Sequence, residues 1–395
     1  MLRLRHSVSA SVFWAARAHV TLLTLTVLVG CGAKTGLEAP PPRPWESADD
    51  AGLLPTFPSR CAEEMPPSVD PTAPRAIDGG KFFTIAARAD GQVFVWGLLA
   101  DGPPAVQADG PTPVAGLSLA RAVSASGVVA CALSADGSVS CSVPGDRRDF
   151  RSVALPGPAT SVAAASTSCA VVSGRVYCWR GGDRVARVVP ASGNVRDVAV
   201  GVVGACAVTE SGRVFCWDHA TSERVSGVEI DVPCAREVTV GGDHACARTS
   251  DGRLFCWGAN ASAQLGQGDT APRDGVVTVA VPAAAELTSW TRGSCIRSFG
   301  GSVWCWGEDL DLDGRGLRVP SGPLEIPAVT GATAIGAGGM VTHFSIGGRG
   351  IGRGILIDHR CAAQADDRFT CWGNNINAQL GSAGPGESVV SGRLR

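Results

Sequence analysis

Lysine is almost absent from this chain of 395 residues, and tyrosine occurs once. Arginine therefore supplies nearly all the positive charge, and 34 basic against 36 acidic side chains leave a formal net charge of -2. That balance gives no electrostatic reason to expect a nucleic-acid partner. No run of five like charges occurs, so no charged interaction tail is expected. The apolar run Val20–Val29 (VTLLTLTVLV) is too short to span about 30 Å of hydrocarbon as a helix. None of the fifteen cysteines forms a C-x-x-C pair, which argues against zinc. The histidines at 219, 244, 343 and 359 have no tight metal spacing, and no Ser-His-Asp pattern declares itself. The Gly-rich run 347–352 lacks the Lys-Ser/Thr of a phosphate loop and reads as a flexible loop. No cofactor and no catalytic residue are expected.

What is plentiful is glycine (51), proline (25) and hydrophobic side chains (45%). Many short strands and tight turns follow from that mixture. Arg3, Arg5 and Arg17 precede the apolar run, and this order fits a signal peptide over 1–30. Residues 31–74 carry PPPRPW and MPPSVDPTAP and read as a Pro-rich tether, too extended to bury a core.

From residue 75 to 395 the chain repeats itself. The clearest copy is CARTSDGRLFCWG, starting at Cys246. The second cysteine position falls at 95, 141, 178, 216, 256, 305 and 371. In the first copy Ile85 and Val95 replace the cysteines. A period near forty with short strands predicts propeller blades of about four strands each.

Cysteine spacing fixes the register of each hairpin. In an antiparallel hairpin, opposed residues are equidistant from the turn. Cys131 and Cys141 centre on Asp136, which sets Leu133 opposite Val139 and Ala132 opposite Ser140. Cys169 and Cys178 are one residue closer and centre on Ser173-Gly174, a two-residue loop. Opposed Cα atoms lie about 4.5 to 5.5 Å apart, within disulfide range. In an oxidising compartment the expected bonds are Cys131–Cys141, Cys169–Cys178, Cys206–Cys216, Cys246–Cys256, Cys295–Cys305 and Cys361–Cys371. Each closes a loop worth roughly 2 to 3 kcal/mol of chain entropy. Cys31 aside, this leaves Cys61 and Cys234, a further candidate pair. On the other face Ala86, Ala170, Ala207 and Ala247 oppose Phe94, Tyr177, Phe215 and Phe255, small against large.

Leu28-Val29-Gly30-Cys31 resembles a bacterial lipobox, where a peptidase cuts before the cysteine. The resemblance implies a lipidated Cys31 at the mature N-terminus. It also implies a cell-envelope location, with outer membrane favoured because Gly32, not Asp, follows.

The repeat resembles the regulator of chromosome condensation family. Gly242, His244, Ala247, Asp251, Gly252 and Trp257-Gly258 match its pattern, followed by Asn260 and Gln264-Leu265-Gly266. The last copy offers Trp372-Gly373-Asn374-Asn375 and Gln379-Leu380-Gly381. Elsewhere the match degrades: Ser142 stands where tryptophan belongs, and Trp179 is followed by Arg180. Seven copies fit the family's seven-bladed ring. The resemblance implies an all-β fold, a seven-bladed β-propeller, and transfers no exchange or ligand residue. His244 matches the repeat's structural histidine, expected to satisfy backbone groups.

Asp309, Asp311 and Asp313 imitate the opening of a calcium loop, yet position 12 is Pro320, and a polar surface loop explains the stretch. The expected function is a protein-binding or scaffold module on the envelope, with an unidentified envelope or extracellular protein as partner. Its best candidate surface is the long interval 306–360. The alternatives are a hydrolase or lyase acting on a polymer, which needs acids converging on one ring face, and a purely structural lipoprotein.

Overall fold

The computed structural model describes residues 76–100, 105–117, 119–143, 145–180, 187–189, 194–202, 204–218, 227–310, 317–318, 322–342, 355–382 and 389–395. Cys31, Cys61, Asp311, Asp313, His219, His343 and the run 347–352 lie outside them. Among the described residues every regular element is a strand.

The strands form seven four-stranded antiparallel blades: 76–113, 120–152, 159–189, 195–230, 235–279, 284–325 and 332–393. Each blade is one contiguous piece of chain, so the ring closes without exchanging a strand between its ends. A single bridge, Ala100 to Asp146, ties blades one and two at their rims. Blade six carries an extra two-stranded piece, Asp309–Leu310 with Leu317–Arg318, before its fourth strand Leu324–Glu325. The interval 306–360 is therefore not one insertion. It also holds the first strand of blade seven, Ala332–Thr342, and so supplies two separate connections.

The hairpin registers agree with the spacing argument. Cys131 pairs with Cys141, Ala132 with Ser140 and Leu133 with Val139. All six hairpin cysteine pairs are disulfide-bonded, with Cα atoms 4.0 to 4.1 Å apart. So close an approach marks the non-hydrogen-bonded positions of an antiparallel pair. In blade one Ile85 faces Val95 at the same position, both fully buried. Ser173 and Gly174 both have positive φ (49° and 73°), the conformation of a two-residue type I′ turn. Cys234 is disulfide-bonded as well.

Blades pack face to face with apolar side chains between them. One such cluster joins Cys206, Val208, Val214 and Cys216 of blade four to Val238, Ala245, Ala247 and Trp257 of blade five. The repeated tryptophans 96, 179, 217, 257, 306 and 372 are all buried in these seams.

Candidate functional site

Strand direction divides the ring into two faces. Hairpin turns between second and third strands, and the short links between blades, open on one side, here the turn face. Connections from first to second strand and from third to fourth open on the other, the loop face. The longest intervals between successive blade strands, 259–276, 308–323, 343–354 and 374–388, are all bounded by strand ends on the loop face.

On the turn face one hydrogen bond recurs from blade to blade. The hairpin-turn carbonyl accepts the N–H of the next blade's first strand: Gly91 from Ala120, Gly137 from Ala159, Gly174 from Val195, Gly212 from Ala235, Gly252 from Ala284 and Gly301 from Ala332. Gly212 shows why glycine stands there. Its φ is +78°, and a Cβ would lie 2.9 Å from Cys234 Cα in the neighbouring link. In blade seven the turn residue is Asp367, whose carbonyl accepts the N–H of Leu394 near the chain's end.

At mid-height, first-strand side chains knit neighbouring blades. Asp78 accepts the N–H of Ala125 in blade two at 2.8 Å, and Ala337 of blade seven also donates to it. Asp78 thus bridges the seam where the ring closes. Ser124 accepts from Ala164, Glu237 from Leu287, and Glu286 from Ile335. Ser161 Oγ donates to Asp197, which also takes the N–H of Val238. Unpaired N–H groups on strand edges are costly when buried, and these side chains satisfy them. Burial pushes three carboxyls up: Asp78 to about 7, Asp197 to about 6 and Glu286 to about 7.

Near the loop face, His244 Nε2 hydrogen-bonds with Ser294 Oγ of the next blade at 2.9 Å, and His359 Nε2 with Thr84 Oγ1 at 2.8 Å. Burial pulls these imidazoles down, to about 4 and about 3, so both are neutral at physiological pH. Both hydroxyl partners lie in the next blade, which also supplies backbone hydrogen bonds at Gly293 and Phe83; for His244 the sequence led one to expect backbone groups of its own blade. The Gln-Leu-Gly segments act the same way. Trp306 Nε1 donates to Gln264 O and Trp96 Nε1 to Gln379 O, each 2.9 Å and each across a seam. Asn260 and Asn375 shape those loops by accepting the N–H of Leu265 and Leu380. Trp257 and Trp372 follow blades that lack the segment, and their buried indole N–H groups have no hydrogen-bond partner among the described residues.

The first strands surround an axial cavity of about 200 Å³. Asp78, Asp197 and Trp290 line it together with paired glycines such as 241–242 and 338–339. The polymer-cleaving alternative needs converging acids, and two acids, from blades one and four, line this cavity. Both, however, hold the backbone N–H groups of adjacent blades, which makes them ring-building groups rather than a free catalytic pair. Among the described residues, no three His, Cys, Asp or Glu side chains form a metal-binding group. Asp309 opens the two-residue strand of blade six, and the other two members of the calcium candidate lie outside the described residues.

The loop face differs from the turn face in one surface property. Seven large hydrophobic side chains are exposed among the described residues: Leu119, Val128, Val202, Val228, Leu324, Ile376 and Val389. All but Leu119 sit at loop-face turns, in loop-face connections or at the loop-face start of a fourth strand. Val202 is 62% and Ile376 51% exposed. Sequence reading missed this pattern because the number of residues between the cysteines and these positions differs from blade to blade.

Comparisons with known proteins agree with the architecture. Two family models described as the Regulator of chromosome condensation (RCC1) repeat match residues 235–264 and 251–289, the best-preserved blade. No curated protein matches the sequence. Prp20p from Saccharomyces cerevisiae, a structure described with its binding properties to Gsp1p and histones, is 16% identical, with a TM-score of 0.60 over 83% of this chain and 87% of that one. Yeast RCC1 (Prp20) bound to Kap60 is 16% identical with a TM-score of 0.61, covering 89% and 91%. Human WBSCR16 is 15% identical with a TM-score of 0.56, covering 77% and 88%. Residues 235–289 thus match the regulator of chromosome condensation repeat, and the described chain shares the propeller fold of these solved structures.

Proposed function

We propose that this protein is a non-enzymatic protein-binding module that uses its loop face. The carrying observation is the gathering of six of the seven exposed large hydrophobics on that face. Monomeric surfaces carry single exposed apolar residues everywhere, but concentration on one face marks an interaction surface. Length variation between blades falls on the same side, where it alters contacts without disturbing the ring. The related propeller Prp20p is described with Gsp1p and histones, and yeast RCC1 with Kap60, so protein partners suit this ring. The partner here is a protein of the cell envelope or its surroundings, because the leader and lipobox-like residues around Cys31 are those of an exported lipoprotein.

Two experiments test the two halves. Shortening 308–323 to a tight turn in the full chain should weaken capture of the envelope partner at least tenfold and leave thermal unfolding nearly unchanged. Unchanged capture assigns binding elsewhere. Mass spectrometry of the mature N-terminal peptide should show an acylated Cys31, and Cys31→Ala should release the protein from membranes. An unmodified, membrane-free wild-type protein overturns the anchor.

A further inference from the structure

We propose that the axial cavity is a socket in the loop face that receives a basic side chain, lysine or arginine, from the protein partner. The inference rests on the loop-face reading and adds the chemistry of what is bound there.

The cavity is one-sided. In every blade its lining starts near the middle of the first strand and runs to that strand's loop-face end: 78–79, 124–127, 162–164, 197–202, 238–242, 288–291 and 337–339, from blade one to blade seven. The turn-face halves of the same strands take no part. Val202 both lines the cavity and is 62% exposed, so the space runs out onto the loop face beside one of its exposed apolar side chains. At about 200 Å³ it falls below the roughly 300 to 1,000 Å³ of sites for drug-sized molecules, a size that suits one inserted side chain.

Its charge is of one sign. Asp78 and Asp197 line it, and among the described residues no lysine, arginine or histidine does. Neither acid is sealed off: both keep accessible surface, although they stand at mid-height inside the ring. The groups that face them are neutral donors. Gly79, Ala125, Ala337 and Ser124 serve Asp78, and Ser161, Val198 and Val238 serve Asp197. The charged neighbour of Asp197 is another acid, Glu237, which carries its own Arg248. Neutral donors orient a carboxylate but leave its charge in place, and no cation offsets the cost of burying it. An ammonium or guanidinium entering from the loop face supplies that opposite charge, at a depth where a pair attracts more strongly than in water. The aliphatic stem of lysine or arginine suits the rim, where Val202 and Val128, next to the lining residue Gly127, are exposed.

Two free molecules test the socket without a partner: n-butylammonium, the lysine side chain, and n-propylguanidinium, that of arginine. Titrated into the full chain and followed by NMR, at least one should bind, and n-butanol, the neutral isostere, should not. Affinity should rise roughly tenfold from pH 5 to pH 7.5, because a carboxyl with its pKa near 6 is only about one-tenth ionised at pH 5. Asp197→Asn should weaken binding roughly fivefold and flatten that pH dependence. Where Asp197→Asn fails to fold, Ser126→Lys, which adds an ammonium to a lining position, should block the probe. No binding by either cation, equal binding of n-butanol, or affinity that falls as pH rises overturns the socket. The link to the partner has its own readout: saturating probe should weaken partner capture several-fold. Probe binding with unchanged capture overturns the partner's use of the socket. Failed probe binding with loop-face capture intact overturns the socket and spares the loop-face reading.

Discussion

Asp78 shows how much of this ring depends on single polar groups. Its carboxyl takes N–H groups from blades two and seven, on either side of its own blade, and no exchanged strand supplements it at the closing seam. Asp78→Ala should lower unfolding free energy by about 1 to 3 kcal/mol, the cost of leaving buried donors unpaired; denaturant melts measure it. Asp78, Asp197 and Glu286 also predict an unusual pH response. Their folded pKa values of about 7, 6 and 7 lie above ordinary carboxyl values. Between pH 4 and 7 the folded state then binds more protons than the unfolded chain, so stability falls as pH rises through that window. Surface carboxylates such as Asp90 and Glu229, held low by Arg88 and Arg213, act oppositely and below pH 4. The denaturation midpoint should therefore be higher near pH 4.5 than at pH 7.5, with a weaker slope in Asp78→Asn. A midpoint that rises steadily to pH 7.5 contradicts the burial of these acids. The sequence shows Asp78 only as an acid before two glycines; its role depends on two blades distant in the chain.

At the scale of the element, the hairpin was the most legible part. Cysteine spacing and turn length determine its register, because opposed positions are a matter of counting. The Ile85/Val95 copy was readable for the same reason. The turn glycine was legible as a turn residue, but its contact with the next blade was not. Gly212→Ala should destabilise the protein by more than 1 kcal/mol, since φ is positive and Cys234 blocks the new methyl. Gly275→Ala, at similar φ with open space around it, should cost less. Comparing the two melts separates contact from backbone strain. The histidine and Gln-Leu-Gly elements carry the same lesson: their motifs were visible, their partners lay one blade ahead. Thr84→Val should destabilise by about 1 to 3 kcal/mol, because it leaves the ring of His359 without its cross-seam partner. Thermal melts at pH 7 check it, and an unchanged midpoint removes that pin from the account.

Taken whole, the molecule is a ring stapled within its blades and hydrogen-bonded between them. Six disulfides constrain single hairpins, so reduction should lower stability without opening a seam directly. The two faces are chemically distinct: the turn face is a regular set of backbone stitches, and the loop face carries the long connections and the exposed apolar side chains. Blade count was readable in the sequence because it is a repeat count. Which face carries the exposed apolar side chains was not, because Val128, Val202 and Ile376, in blades two, four and seven, come to share one side only after the ring closes.

The central claim is that the loop face binds protein, and site-specific photocrosslinking tests it most directly. A photoreactive side chain at Val202 or Ile376, in the full chain on native envelopes, should give one discrete adduct of defined mass. The same group at Leu119, on the turn face, should give none. An adduct from Leu119 alone, or identical diffuse labelling from all three positions, contradicts the account.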